Sequence, residues 1–135
     1  MNETLGLLFL NYSTDKLTQL STRIRECVGT LSYGQIWQRR TGNENAIGNL
    51  VLHLCGNVRQ WIGFGVAGKP DLRERDREFA ARGDLQAAEL IERLDATVSE
   101  ALTDLRNVTP QRLQERVKIQ AYELSVLEAI YHVVE

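Results

Sequence analysis

Apolar residues recur at close to 3.6-residue spacing through four separate stretches of this chain, and that spacing commits most of it to amphipathic helices. The first stretch runs from about Glu3 to Val28, with Leu5, Leu8, Tyr12, Leu17, Leu20, Ile24 and Val28 on one face. The second takes Asn45 as its N-cap and presents Ile47, Leu50, Val51, Leu54, Val58, Trp61 and Ile62; Gly63, Gly65, Gly68 and Pro70 end it. The third is capped by Asp84 and covers Leu85 to about Arg106, before Asn107 to Pro110 break it. The fourth opens on Ser125 and Glu128, an S-x-x-E capping box ahead of Val126, Leu127, Ile130, Tyr131 and Val134.

Two long connections separate these stretches. Gly29 to Glu44 reads as a loose segment in which Ile36 and Trp37 anchor back to the core. Lys69 to Asp84 alternates in sign through Asp71, Arg73, Glu74, Arg75, Asp76, Arg77 and Glu78, which is the pattern of a solvated, locally paired surface segment without chemistry of its own. Strand signals are weak, and the piece with Leu113, Val117 and Ile119 reads as irregular. Helices that each carry one apolar face bury it against one another. The expected fold is all-α, a four-helix bundle with long crossover connections.

Length sharpens this picture. The 135 residues make one domain, able to bury roughly two-thirds of its unfolded surface without staples. The first three helices come to about 30 Å each, while Ser125 to Glu135 supplies only about 16 Å. The last helix is therefore expected to be incomplete, and residues 1–135 to be a single bundle domain with its C-terminal part missing. A net charge of -2 argues against a strongly basic nucleic-acid protein. The run Leu5 to Leu10 is too short and wrongly flanked for a signal peptide, and the apolar stretch Ala46 to Ala67 is broken by Asn49, His53, Asn57, Arg59 and Gln60, so no membrane span is expected. Cys27 and Cys55 lack disulfide or C-x-x-C spacing, which fits a reducing, cytoplasmic setting, and neither has a neighbour that would activate its thiol.

The residues that could carry chemistry lie on the second and fourth helices. Asn49, His53 and Asn57 stand four apart and form one polar stripe along the border of the apolar face. A polar group at such a border needs a partner or a ligand. His53 could equally be a structural histidine bonded to a backbone carbonyl. His132, the other histidine, is peripheral on the fourth helix, with Glu128 and Glu135 one turn away. Three or four protein ligands are normal for a metal site, and two histidines fall short of that. Trp37, Trp61, Tyr122 and Tyr131 are aromatics of the kind that fill a core or line a pocket. No nucleotide-binding or nucleophile-elbow motif is present.

The stretch AIGNLVLHLCGNVRQWI, Ala46 to Ile62, resembles the second-helix motif of the DinB/YfiT-like superfamily, in which a His is followed four residues later by an Asn. The C-terminal SVLEAIYHVVE resembles the start of that superfamily's last motif, and Arg75, Asp76, Glu78 and Phe79 in RERDREF add to the likeness. The resemblance implies a bacterial four-helix bundle, often a homodimer, binding one divalent ion, zinc or nickel, through three histidines. By it His53 is the first ligand, and the other two lie just beyond Glu135, with His132 an upstream neighbour or a substitute. Asn49 and Asn57 become the groups that orient His53 or a substrate. The implied activity is that of a metal-dependent S-transferase using a low-molecular-weight thiol, or of a hydrolase, acting on a small molecule. The alternative is a non-catalytic helical interaction or dimerisation protein with structural histidines.

Overall fold

The four helical stretches form where the spacing puts them. The computed structural model describes residues 3–135. Helix α1 is Glu3–Gly29, α2 Tyr33–Trp37, α3 Ile47–Val58, α4 Arg75–Ala80, α5 Ala87–Arg106 and α6 Val126–Val134. A π-helical segment, Arg59–Val66, continues α3 without a break, and a short 3-10 turn, Pro110–Gln114, follows α5. Helix α5 packs on α1 and α3, while α6 packs on the π-helical segment and α1, closing a ring of four long elements. Their shared core includes Leu17, Val58, Ile62, Leu94, Val126 and Ile130.

The connections hold more structure than their composition advertises. Ser32 caps α2 by accepting from the Gln35 backbone N–H, so the loose segment contains a helical turn that buries Ile36. The piece after α5 contains an antiparallel hairpin of β1, Arg116–Ile119, and β2, Tyr122–Ser125, with Val117 paired to Leu124 and Ile119 to Tyr122. It was hidden because no Gly or Asn marks the turn; Gln120 itself takes the left-handed conformation, φ 56°. Helix boundaries shift by a residue or two. The N-caps are Ala46 and Gln86 where Asn45 and Asp84 were expected, and Gly63 and Gly65 lie inside the π-helical segment instead of ending the helix. Side chains three residues on do the capping: Asn49 Oδ1 accepts from Ala46 N–H, and Glu89 Oε1 from Gln86 N–H.

Two helices are rotated relative to the faces that hydrophobicity alone picks. Leu5, Leu8 and Tyr12 of α1 are exposed, and the buried face runs through Gly6, Leu10, Ser13 and Leu17. Gly6 decides this: a Cβ there would lie 2.7 Å from that of Pro110, so the helix meets the 3-10 turn by its glycine side. Ser13 is buried at no hydrogen-bonding loss because its hydroxyl donates to Phe9 O at 2.7 Å. In α3, Ile47, Leu50 and Leu54 are likewise exposed, while Asn49, Val51, Cys55 and Val58 are buried. That rotation turns the polar stripe toward α4.

Candidate functional site

His53, Asn57 and Trp61 stand at successive i+4 positions along α3 and its π-helical continuation, and all three line one open cavity of about 920 Å³. Across it stand Gln120 and Tyr122 of the hairpin and Tyr131 and His132 of α6. The fold therefore gathers His53 and Asn57 of one helix and His132, far from them in sequence, around a common space.

His53 is held from behind. Its side chain is 32% exposed, and Nδ1 lies 3.3 Å from Glu78 Oε1 and 3.1 Å from Arg73 Nη2. Glu78 and Arg73 form a two-point ion pair, Nε to Oε2 at 3.0 Å and Nη2 to Oε1 at 3.1 Å, with side chains only 9% and 4% exposed. Arg73 Nη1 donates to Gln60 Oε1 at 2.9 Å, and Gln60 donates to Asp71 at 3.1 Å. Gly56 makes this layer fit, since a Cβ there would occupy the place of the Glu78 carboxylate. Two tautomers satisfy the contacts: Nδ1–H donates to Glu78, or bare Nδ1 accepts from Arg73. Both leave Nε2 as the ring nitrogen that no other side chain takes among the described residues. The first is the carboxylate–histidine arrangement that orients metal-ligating imidazoles.

Lys69 to Asp84 is consequently not the wholly solvated surface its charge pattern implied. Arg73 and Glu78 cover the polar face of α3, and α4 brings Phe79 to 5.0 Å from the His53 ring. Alternating sign hid the burial because a paired buried charge and a paired exposed charge look alike in sequence. A usable signal was Gly56, three residues from His53 on the same helix face, since a glycine inside a helix marks close approach of another group.

Asn49 stands about one helical turn before His53. It is fully buried, and its amide donates to the carbonyls of Glu78 and Ala81, both at 2.9 Å, while its oxygen accepts from Ala46 N and from Arg39. Its hydrogen bonds fasten the segment that carries Glu78. Asn57, by contrast, lines the cavity, and its side chain has no hydrogen-bond partner among the described residues.

His132 occupies the opposite wall. Its ring stacks on Trp61 at 3.9 Å, its Nδ1 is 3.9 Å from Glu135, and its side chain is 44% exposed. Glu128 is engaged in capping, accepting from Ser125 N and Oγ at 2.9 Å, and the backbone hydrogen bond holds its carboxyl below the ordinary carboxylate range. Trp61 is both core and wall: it is buried, its Nε1 has no partner among the described residues, and the Tyr122 ring lies 6.2 Å away. Trp37 faces elsewhere, donating to Leu85 O at 2.8 Å. Cys55 is buried, which pushes its thiol up, and lies outside this cavity; Cys27 is exposed.

Among the described residues no three His, Cys, Asp or Glu side chains converge where a metal ion could sit. Residues 3–135 thus fit one position of a metal site, His53 with its carboxylate partner, and do not by themselves complete one. No helix among them is long and apolar enough to cross a membrane.

The fold is similar to the crystal structure of a histidine-to-alanine mutant of the mycothiol-dependent maleylpyruvate isomerase, with a TM-score of 0.71 at 11% identity over 93% of this chain. The match covers 56% of that chain, so this one spans little more than half its length. At such identity the likeness is one of fold, the DinB-like helical bundle. No curated protein matches the sequence. The model of the family described as "Protein of unknown function (DUF1572)" matches residues 4–135, and the chain belongs to that family.

Proposed function

We propose that this chain is part of a DinB-like, divalent-metal-dependent enzyme, a thiol S-transferase or hydrolase acting on a small molecule, in which His53 is one metal donor. The observation that carries the reading is His53 itself, a cavity-lining residue with Nδ1 backed by a buried carboxylate and Nε2 without a partner among the described residues. His132, on the far wall, is the second candidate donor. Asn57 orients a substrate or His53 directly, and Asn49 orients His53 through Glu78. Zinc or nickel is the ion, a low-molecular-weight thiol the cosubstrate, and the cytoplasm the compartment. Metal analysis of the full natural chain tests this: bound ion and an ion-dependent rise in Tm are expected, both lost in His53→Ala. Equal metal content in the variant would sink the assignment.

A second reading is a non-catalytic helical interaction protein or homodimer. It is favoured by two exposed apolar rows at i, i+3 and i+7 spacing, Leu5, Leu8 and Tyr12 on α1 and Ile47, Leu50 and Leu54 on α3. It predicts a concentration-dependent Tm that added Zn²⁺ or Ni²⁺ leaves unmoved.

A further inference from the structure

We infer that Arg75, assisted by Asn57, is the recognition point for a small molecule bearing one carboxylate on an apolar body. This deepens the reading above by giving the chemical class that the His53 cavity takes. The first observation is a contrast among the cations between Lys69 and Asp84. Lys69 pairs with Asp104, Arg73 with Glu78, Arg77 with Glu74, and Arg82 donates to the carbonyls of Phe79 and Ala81. Arg75 has no anion or carbonyl among the described residues. Its guanidinium lies over the Phe79 ring, 5.3 Å from the centroid, and lines the cavity of His53. Stacking on an aromatic face fixes the plane of the guanidinium while leaving its five N–H donors free.

The second observation is what surrounds it. The Asn57 side chain is also without a hydrogen-bond partner among the described residues and lines the same space, so two kinds of donor meet there. Trp61, Tyr122 and Leu124 supply apolar wall beside them. Glu123, Glu128 and Glu135 line the cavity as well, and these three carboxylates repel a dianion more strongly than a monoanion. A single carboxylate meets the planar fork of Arg75 by two parallel hydrogen bonds, and its apolar remainder lies along the aromatic wall.

Calorimetric titration of the intact protein with phenylacetate, phenylacetamide and inorganic phosphate tests this. Phenylacetate is expected to bind, with the amide and phosphate each weaker by about tenfold or more. Arg75→Gln should weaken phenylacetate about tenfold and Arg75→Lys less, whereas Arg77→Gln, whose arginine is paired to Glu74 outside the cavity, should bind as the parent does. Undiminished binding by Arg75→Gln, equal binding of the amide, tighter binding of phosphate, or no binding of phenylacetate would each overturn the inference. Metal content in His53→Ala is read independently, so either idea can fail while the other stands.

Discussion

The segment joining the π-helical stretch to α5 contains two arginine–glutamate pairs built from the same residue types within six positions, and they live in different physical worlds. Arg73 and Glu78 are 4% and 9% exposed, bonded at two points and wedged over Gly56 against His53. Arg77 and Glu74 are 81% and 61% exposed and meet at 2.9 Å in water. The buried pair has lost its hydration, so each charge depends on the other and on Gln60. The exposed pair exchanges one hydrated state for another and gains little. Charge pattern alone does not separate them; coverage by α3 and α4 does.

Breaking the buried pair is expected to have the largest effect. Arg73→Ala strands the Glu78 carboxylate and should destabilise the fold by about 3–5 kcal/mol, read from urea midpoints at constant slope. A loss below 1 kcal/mol would show that water reaches Glu78 freely and that the two pairs are alike after all. Removing both charges together, as Arg73→Met with Glu78→Leu, should restore much of the stability while leaving the His53 ring without its anchor.

Gly56→Ala probes the same layer without touching a charge. The added methyl takes the place of the Glu78 carboxylate, and the overpacking should cost about 1–3 kcal/mol. The NMR signals of the His53 ring should move in this variant; an unaltered ring together with full stability would mean that Glu78 has somewhere else to go. At the small end, Arg77→Ala should move stability by no more than about 0.5 kcal/mol. A larger loss would place the Glu74–Arg77 pair among the groups that hold α4 in position, and would narrow the contrast drawn above.

The histidines show how far the sequence reached into the site. That His53 needs a partner was legible, because it belongs to a polar stripe at the border of an apolar helix face, and the structure supplies one. Its actual partner, Glu78, was not legible, since it comes from 25 positions away and sits among charges of alternating sign. Asn49, in the same stripe, turned inward to fasten α4, whereas Asn57 stayed at the cavity. The hairpin that brings Tyr122 to Trp61 leaves no turn signal in the sequence, because its turn uses Gln120 and none of the usual turn residues.

The helical periods, the capping box at Ser125 and the mainly α bundle followed from the order of residues along the chain, because 3.6-residue spacing and local hydrogen bonds are properties of neighbours in sequence. Which way each helix faces was decided only in three dimensions. Gly6 admits Pro110 and Gly56 admits Glu78; such close approaches rotate α1 and α3 away from their most hydrophobic faces and leave Leu5, Leu8, Leu50 and Leu54 outside. Burial depends on what packs against a residue, and for His53, Arg73 and Glu78 that is a surface assembled from distant segments.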